Sequence, residues 1–133
     1  MVEPTLAPPA TRVRSLGQLV FCQGCCCGRT DRGHPEVPVE GLKAVWKAEK
    51  LNRTIQLTIS GCLGPCDLTN VAAVVLPGEQ VWLGRLVTAD YARLVGWVRE
   101  CGTAGRLLPL PAWCDPHRFE RFPAPAADTP VEG

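Results

Sequence analysis

Most of the eight cysteines in this chain fall into two tight groups, and their spacing is that of a metal-holding chain. Cys22, Cys25, Cys26 and Cys27 form the first group, with Gly24 among them and Gly28 directly after. Cys62 and Cys66 form the second, in Gly61-Cys62-Leu63-Gly64-Pro65-Cys66. Thiolates on loops, surrounded by glycine, hold a metal ion or an iron–sulfur cluster. A two-iron cluster needs four thiolates, two for each iron. Two cysteines three or four residues apart on one loop can converge on one iron without straining the backbone. Gly24, Gly28, Gly61 and Gly64 are placed to let main-chain N–H groups approach the sulfurs and offset the charge of a reduced cluster. Cys62 and Cys66 leave little choice about the second pair, since neither has a neighbouring substitute in the sequence. The first group stays open, because four thiols are offered for two places.

Cysteine at this density also suits a disulfide framework, and compartment decides between the two. The opening residues lack the basic and apolar regions of a secretory signal. No run approaches the roughly 18 apolar residues of a membrane-spanning helix. Three consecutive cysteines, 25 to 27, would compete for wrong pairings in a disulfide scaffold. The chain therefore reads as cytoplasmic, with reduced thiols available for metal. A formal charge of +1 gives no global pull toward nucleic acid or a membrane surface. Lys43, Lys47, Lys50 and Arg53 read as a solvated helix face, with Glu40, Glu49 and water as partners. No carboxylate pair, nucleophile–base set or phosphate loop stands out, so an enzyme is not expected.

The elements that position the thiols follow from hydrophobic pattern. Residues 1–14 read as a flexible arm and 122–133 as a disordered tail, both proline-containing and without apolar period. Between them, residues 15–121 make one domain with a C-terminal extension from about 104. Residues 16–21 are a short apolar run that suits a buried strand delivering Cys22 to its tip. Pro38 suits the first turn of a helix with Leu42, Val45 and Trp46 on one face. Residues 54–60 alternate with period two and are β-branched, a strand that ends just before Cys62. Residues 71–76 and 81–83, joined through Pro77-Gly78, read as a hairpin. Thr88 can cap a last helix, faced by Tyr91, Leu94, Val95, Val98 and Cys101 and ending at Gly102. The order β-α-β-β-β-α implies one parallel pair plus an antiparallel hairpin. That is an α/β fold with a mixed β-sheet and packed helices, as in thioredoxin-like proteins.

The same residues admit other chemistry. Four thiolates in two close pairs also satisfy a structural zinc site. Against it, a domain with a full apolar pattern does not need metal to fold. Cys22-Gln23-Gly24-Cys25 after a strand suggests a thiol–disulfide protein, but such a motif should open a helix directly, and here a loop intervenes. Cys101, on an apolar helix face, reads as an inert buried thiol. Cys114 with His117 is expected to be a tail packed back on the domain rather than a second metal site. His34 reads as a loop histidine, and Trp46, Trp82 and Trp97 as core.

The pairing Cys22–Cys27 and Cys62–Cys66, following an alternating strand and preceding Asn70-Val71-Ala72-Ala73-Val74-Val75, resembles the thioredoxin-like [2Fe-2S] ferredoxins. It is also similar to the ferredoxin-like small subunit of respiratory NADH dehydrogenase, which pairs a C-x4-C with a later C-x3-C. A further likeness is to small ferredoxin-domain proteins associated with cobalamin biosynthesis. It rests on the Cys22 to Arg29 segment, on Gly33-His34-Pro35 and on His117-Arg118-Phe119. The resemblance covers about residues 16–103. It implies one [2Fe-2S] cluster bound by Cys22, Cys27, Cys62 and Cys66, with Cys25 and Cys26 as spare or tuning residues. It further implies one-electron transport between a reductase and an acceptor enzyme, and it admits a homodimer.

Overall fold

The computed structural model describes residues 8–124, so half of the expected arm, residues 1–7, and most of the expected tail, residues 125–133, lie outside the described residues. The first strand, β1 (Gly17–Cys22), is followed by α1 (Val39–Glu49) and then β2 (Ile55–Ser60). A hairpin follows, β3 (Ala72–Leu76) and β4 (Glu79–Leu83), turning at Gly78, whose φ of 74° lies in the left-handed region. Then come α2 (Thr88–Ala104) and a two-residue strand, β5 (Arg118–Phe119). The sheet order is β2-β1-β3-β4-β5, with β1 parallel to β2 and every other pairing antiparallel. This is the thioredoxin-like α/β arrangement that the order of elements implies.

The parallel pair positions the cysteines. Cys22 stands opposite Ser60, so both strands end together and their outgoing loops emerge side by side. Trp46 fixes the crossover helix, its indole N–H donating to the Ile55 carbonyl at 2.8 Å. Leu19, Phe21, Ile55, Ala72, Val74 and Leu83 cover one face of the sheet, and Leu42, Trp46, Tyr91, Leu94 and Val98 of the two helices pack on it. Each fully buried aliphatic of that set contributes about 1.5–3 kcal/mol of transfer free energy. Because side chains alternate, Cys22 falls on the other face from Phe21. There it joins Cys27, Val71, Leu63, Leu68, Trp82 and Phe119 in a second, smaller cluster at the loop end of the sheet.

Several expectations are corrected. Trp46 and Trp97 are buried in the main core, whereas Trp82 lies between Val81 and Leu83 and therefore points to the opposite face. The last helix runs past Gly102 to Ala104 and ends at Gly105, whose φ is 69°. Gly102 serves a close approach instead, since a Cβ there would sit 3.0 Å from the Thr54 hydroxyl. At the start of that helix Asp90 accepts the Val87 N–H at 2.8 Å, while the Thr88 hydroxyl donates to the Glu36 carbonyl. Glu49 takes Arg99 of α2 through two hydrogen bonds rather than a lysine of its own helix. Among the described residues no helix is long and apolar enough to cross a membrane.

Candidate metal centre

The two loops that leave β1 and β2 bring all six clustered cysteines to one end of the sheet. Cys22 and Cys27 are buried, Cys26 is half-buried, and Cys25, Cys62 and Cys66 are exposed. A narrow cleft between the loops is walled by Cys22, Cys26, Cys27, Cys62, Cys66 and Val71. Gly24 lets the loops meet, because a Cβ there would lie 3.0 Å from the Cys62 amide nitrogen. The first loop is closed by the Gly24 N–H on the Cys27 carbonyl and tied to the second strand by the Gln23 N–H on Ser60.

The sulfurs pair by depth. Cys22 and Cys27 are neighbours at the bottom of the cleft, and their mutual interaction splits them. It draws Cys27 below the ordinary thiol range and, with burial added, pushes Cys22 above it. Backbone groups of Leu63 and Val71 support the charged forms of Cys22 and Cys27 respectively. At the mouth, Cys62 and Cys66 lie 3.4 Å apart. Hydrogen bonding to Cys62 first, then burial, Cys25 and Cys26, push the Cys66 thiol up to about 12. Crowded thiols resist joint ionisation until a cation lies among them. Four thiolates in two close pairs on two facing loops are a donor set that fits a [2Fe-2S] group.

Three residues of this site escaped the sequence reading. Asn70 is fully buried; its Oδ1 accepts the Gly28 N–H at 3.0 Å and its Nδ2 donates to the Pro35 carbonyl at 2.8 Å. It therefore staples the end of the first cysteine loop, and the Pro35 loop beyond, to the start of β3. The Gly28 amide is spent on that bond and not on a sulfur. Arg121 lies across the second loop, its Nη2 donating to the Leu63 carbonyl at 3.4 Å. Its guanidinium is held over the rings of Trp82 and Phe122, 5.7 Å and 4.6 Å from their centroids. A Cβ on Gly64, whose φ is 115°, would come within 2.5 Å of Arg121, so this glycine is needed for both conformation and contact. Tyr91 stands behind the cleft, its buried hydroxyl unpartnered among the described residues; burial, then the charge of Cys27, raises its pKa.

The remaining candidates lie elsewhere. Cys101 is fully buried on α2 and accepts the Leu108 N–H at 3.4 Å. Cys114 is fully buried too, and burial pushes its thiol up to about 11. His117 Nδ1 faces the Gly84 carbonyl at 2.8 Å, and since a carbonyl only accepts, that nitrogen carries the proton. His34 is half-buried on the loop after the first cysteine group.

No protein-family model matches this chain, and no curated protein matches it. Among solved structures the chain is similar to a thioredoxin-like [2Fe-2S] ferredoxin from Aquifex aeolicus. The TM-score is 0.44 at 20% identity, over 84% of this chain and 97% of that one.

Proposed function

We propose that this chain is a one-electron carrier of the [2Fe-2S] ferredoxin class, with Cys22, Cys27, Cys62 and Cys66 as the ligands. The observation that carries the reading is the convergence of two thiol pairs, one buried and one exposed, from the loops at the ends of two parallel strands. A two-iron cluster bound there would supply a single-electron couple, and the chain supplies the rest. The buried pair is shielded from water, while the exposed pair faces the solvent from which a partner approaches. We propose a reductase on one side and an acceptor enzyme on the other as partners. Service in cobalamin biosynthesis is carried by the motif likeness alone.

Anaerobically purified protein is expected to be brown-red, with about two irons and two acid-labile sulfides per chain. A chain that stays colourless after zinc is stripped and iron and sulfide are supplied anaerobically would sink the reading in favour of a structural zinc module.

Arg121 makes a second expectation about the loaded protein. A fixed guanidinium on the loop between Cys62 and Cys66 favours the more negative, reduced state, because the added electron meets a nearby cation. Arg121→Gln should lower the midpoint potential by about 60 mV, a tenfold change for a one-electron couple. Potentiometric titration reads this directly, and an unaltered potential would show that water screens the guanidinium from the cluster.

A further inference from the structure

The ligand set proposed above leaves Cys25 and Cys26 unassigned, yet the fold does not leave them idle. Their sulfurs and that of Cys66 all lie within 4.8 Å of one another, although Cys66 belongs to the other loop. Cys25 and Cys26 are 3.9 Å apart, and Cys62 and Cys66 are 3.4 Å apart. Thiolates bound to a tetrahedral zinc-type ion at about 2.3 Å stand about 3.8 Å from one another along each edge. Both outer pairs fall within a few tenths of an ångström of that edge. Cys62 touches Cys66 but stands outside the group of three, so as fourth ligand it closes on Cys25 and Cys26 by a small movement of its loop.

The backbone presents the adjacent thiols without strain. Among the described residues the non-glycine positions with positive φ are Lys50 and Arg85, so Cys25 and Cys26 are not forced into the left-handed region. Arg32 fixes their loop by donating to the Cys25 carbonyl at 3.0 Å. Access differs from that of the inner pair: Cys25, Cys62 and Cys66 are exposed, whereas Cys22 and Cys27 are buried. An ion arriving from water meets the outer sulfurs first and displaces nothing from the core.

We infer that Cys25, Cys26, Cys62 and Cys66 form an outer thiolate site for a single tetrahedral, thiophilic divalent cation of the zinc type. The site goes beyond the electron-carrier reading and does not depend on it. It shares Cys62 and Cys66 with the proposed cluster ligands, so a chain holding the ion and a chain holding the cluster are mutually exclusive forms. In the ion-bound form Cys22 and Cys27 remain free at the bottom of the cleft. Zinc occupying the outer site therefore opposes cluster loading.

The test uses the full chain, purified without iron and kept reduced, titrated with cobalt(II). Thiolate-to-cobalt charge transfer reports sulfur ligation, and zinc, which binds such sites more tightly, should displace the cobalt. One cobalt per chain is expected. Cys25→Ser and Cys26→Ser should each weaken binding on the order of a hundredfold, the share of one thiolate among four. Cys22→Ser and Cys27→Ser should leave it unchanged. The opposite pattern, with the inner variants weakened and the outer ones indifferent, would overturn the site, as would absence of the charge-transfer band. A readout free of variants comes from iodoacetamide labelling of the natural chain mapped on peptides. Zinc should suppress labelling of Cys25 and Cys26, and undiminished labelling would count against the site. The two readings fail separately. A chain that binds cobalt in this pattern and never takes up iron and sulfide loses the electron-carrier reading and keeps this one.

Discussion

Serine at Cys22 is expected to abolish the iron–sulfur absorption, whereas serine at Cys66 alone should leave a weakened, shifted spectrum. The contrast follows from where the spare sulfurs lie. Cys22 ends β1 and points into the small cluster beneath the cleft, packed with Cys27. Cys25 and Cys26 belong to the same loop, yet their sulfurs sit beside Cys66 at the mouth. They can replace Cys66 with a small movement and cannot reach the position of Cys22 without rebuilding the loop. For Cys66 the sequence alone suggests otherwise, since no cysteine stands near it in the chain and its loss would read as fatal. Cys25→Ser alone should be tolerated, and Cys66→Ser combined with Cys25→Ser and Cys26→Ser should lose everything. Cys101→Ser and Cys114→Ser should keep the full spectrum, because both thiols are buried in the main core away from the cleft. Electron paramagnetic resonance of the reduced variants decides the matter. A normal signal in Cys22→Ser with a lost signal in Cys25→Ser would overturn the ligand assignment.

The sequence carries the framework of this molecule because the framework is built from local signals. Period-two alternation over 54–60 and the apolar run over 16–21 mark two strands, and the helix between them makes the strands parallel. Parallel strands end at the same side, so the convergence of the two cysteine groups is already contained in the element order. The face on which Trp82 lies was legible as well. Val81 and Leu83 are the inward residues of β4, and strict alternation sends Trp82 outward. Its aromatic character argued for core, and it does find burial, in the second cluster beside Phe119. Gly102 misled for a related reason. A glycine near a helix end reads as a stop, and here it serves a close approach to Thr54 from β2's lead-in.

What stayed hidden depends on contacts between distant positions. Arg121 lies 58 positions from the Leu63 carbonyl it holds, and nothing in the proline-containing segment around it announces that the chain turns back. β5 consists of only Arg118 and Phe119, too short to produce any period. Its pairing with Trp82 and Leu83 nevertheless sets Arg121 against the second cysteine loop. The His117-Arg118-Phe119 segment was legible only as part of a family resemblance. Its physical role is to close the sheet edge at β4 and deliver Arg121. Asn70 is hidden in the same way, as a polar residue at the head of an apolar strand whose partners lie 42 and 35 positions away.

Asn70→Ala is expected to destabilise the fold by about 2 to 6 kcal/mol, although the residue carries no charge and donates to no sulfur. The side chain is fully buried and uses both of its ends, accepting from Gly28 and donating to Pro35. Alanine removes both bonds at once and leaves the half-buried Gly28 N–H and Pro35 carbonyl without their partner. Each unsatisfied group costs about 1–3 kcal/mol, which gives the range. The loss should appear in denaturant unfolding as a lower midpoint with little change of slope, since the same surface is exposed on unfolding. A local effect should accompany the global one. Gly28 follows Cys27 directly, so freeing its amide loosens the end of the loop that holds the inner thiol pair. Alkylation of Cys27 in the metal-free chain should then speed up by roughly tenfold or more, as local opening becomes easier, while Cys101 on α2 should keep its slow rate. An Asn70→Ala chain that unfolds at the natural midpoint, with Cys27 as protected as before, would mean that the cysteine loop is held by its own backbone bonds and by Arg32 instead.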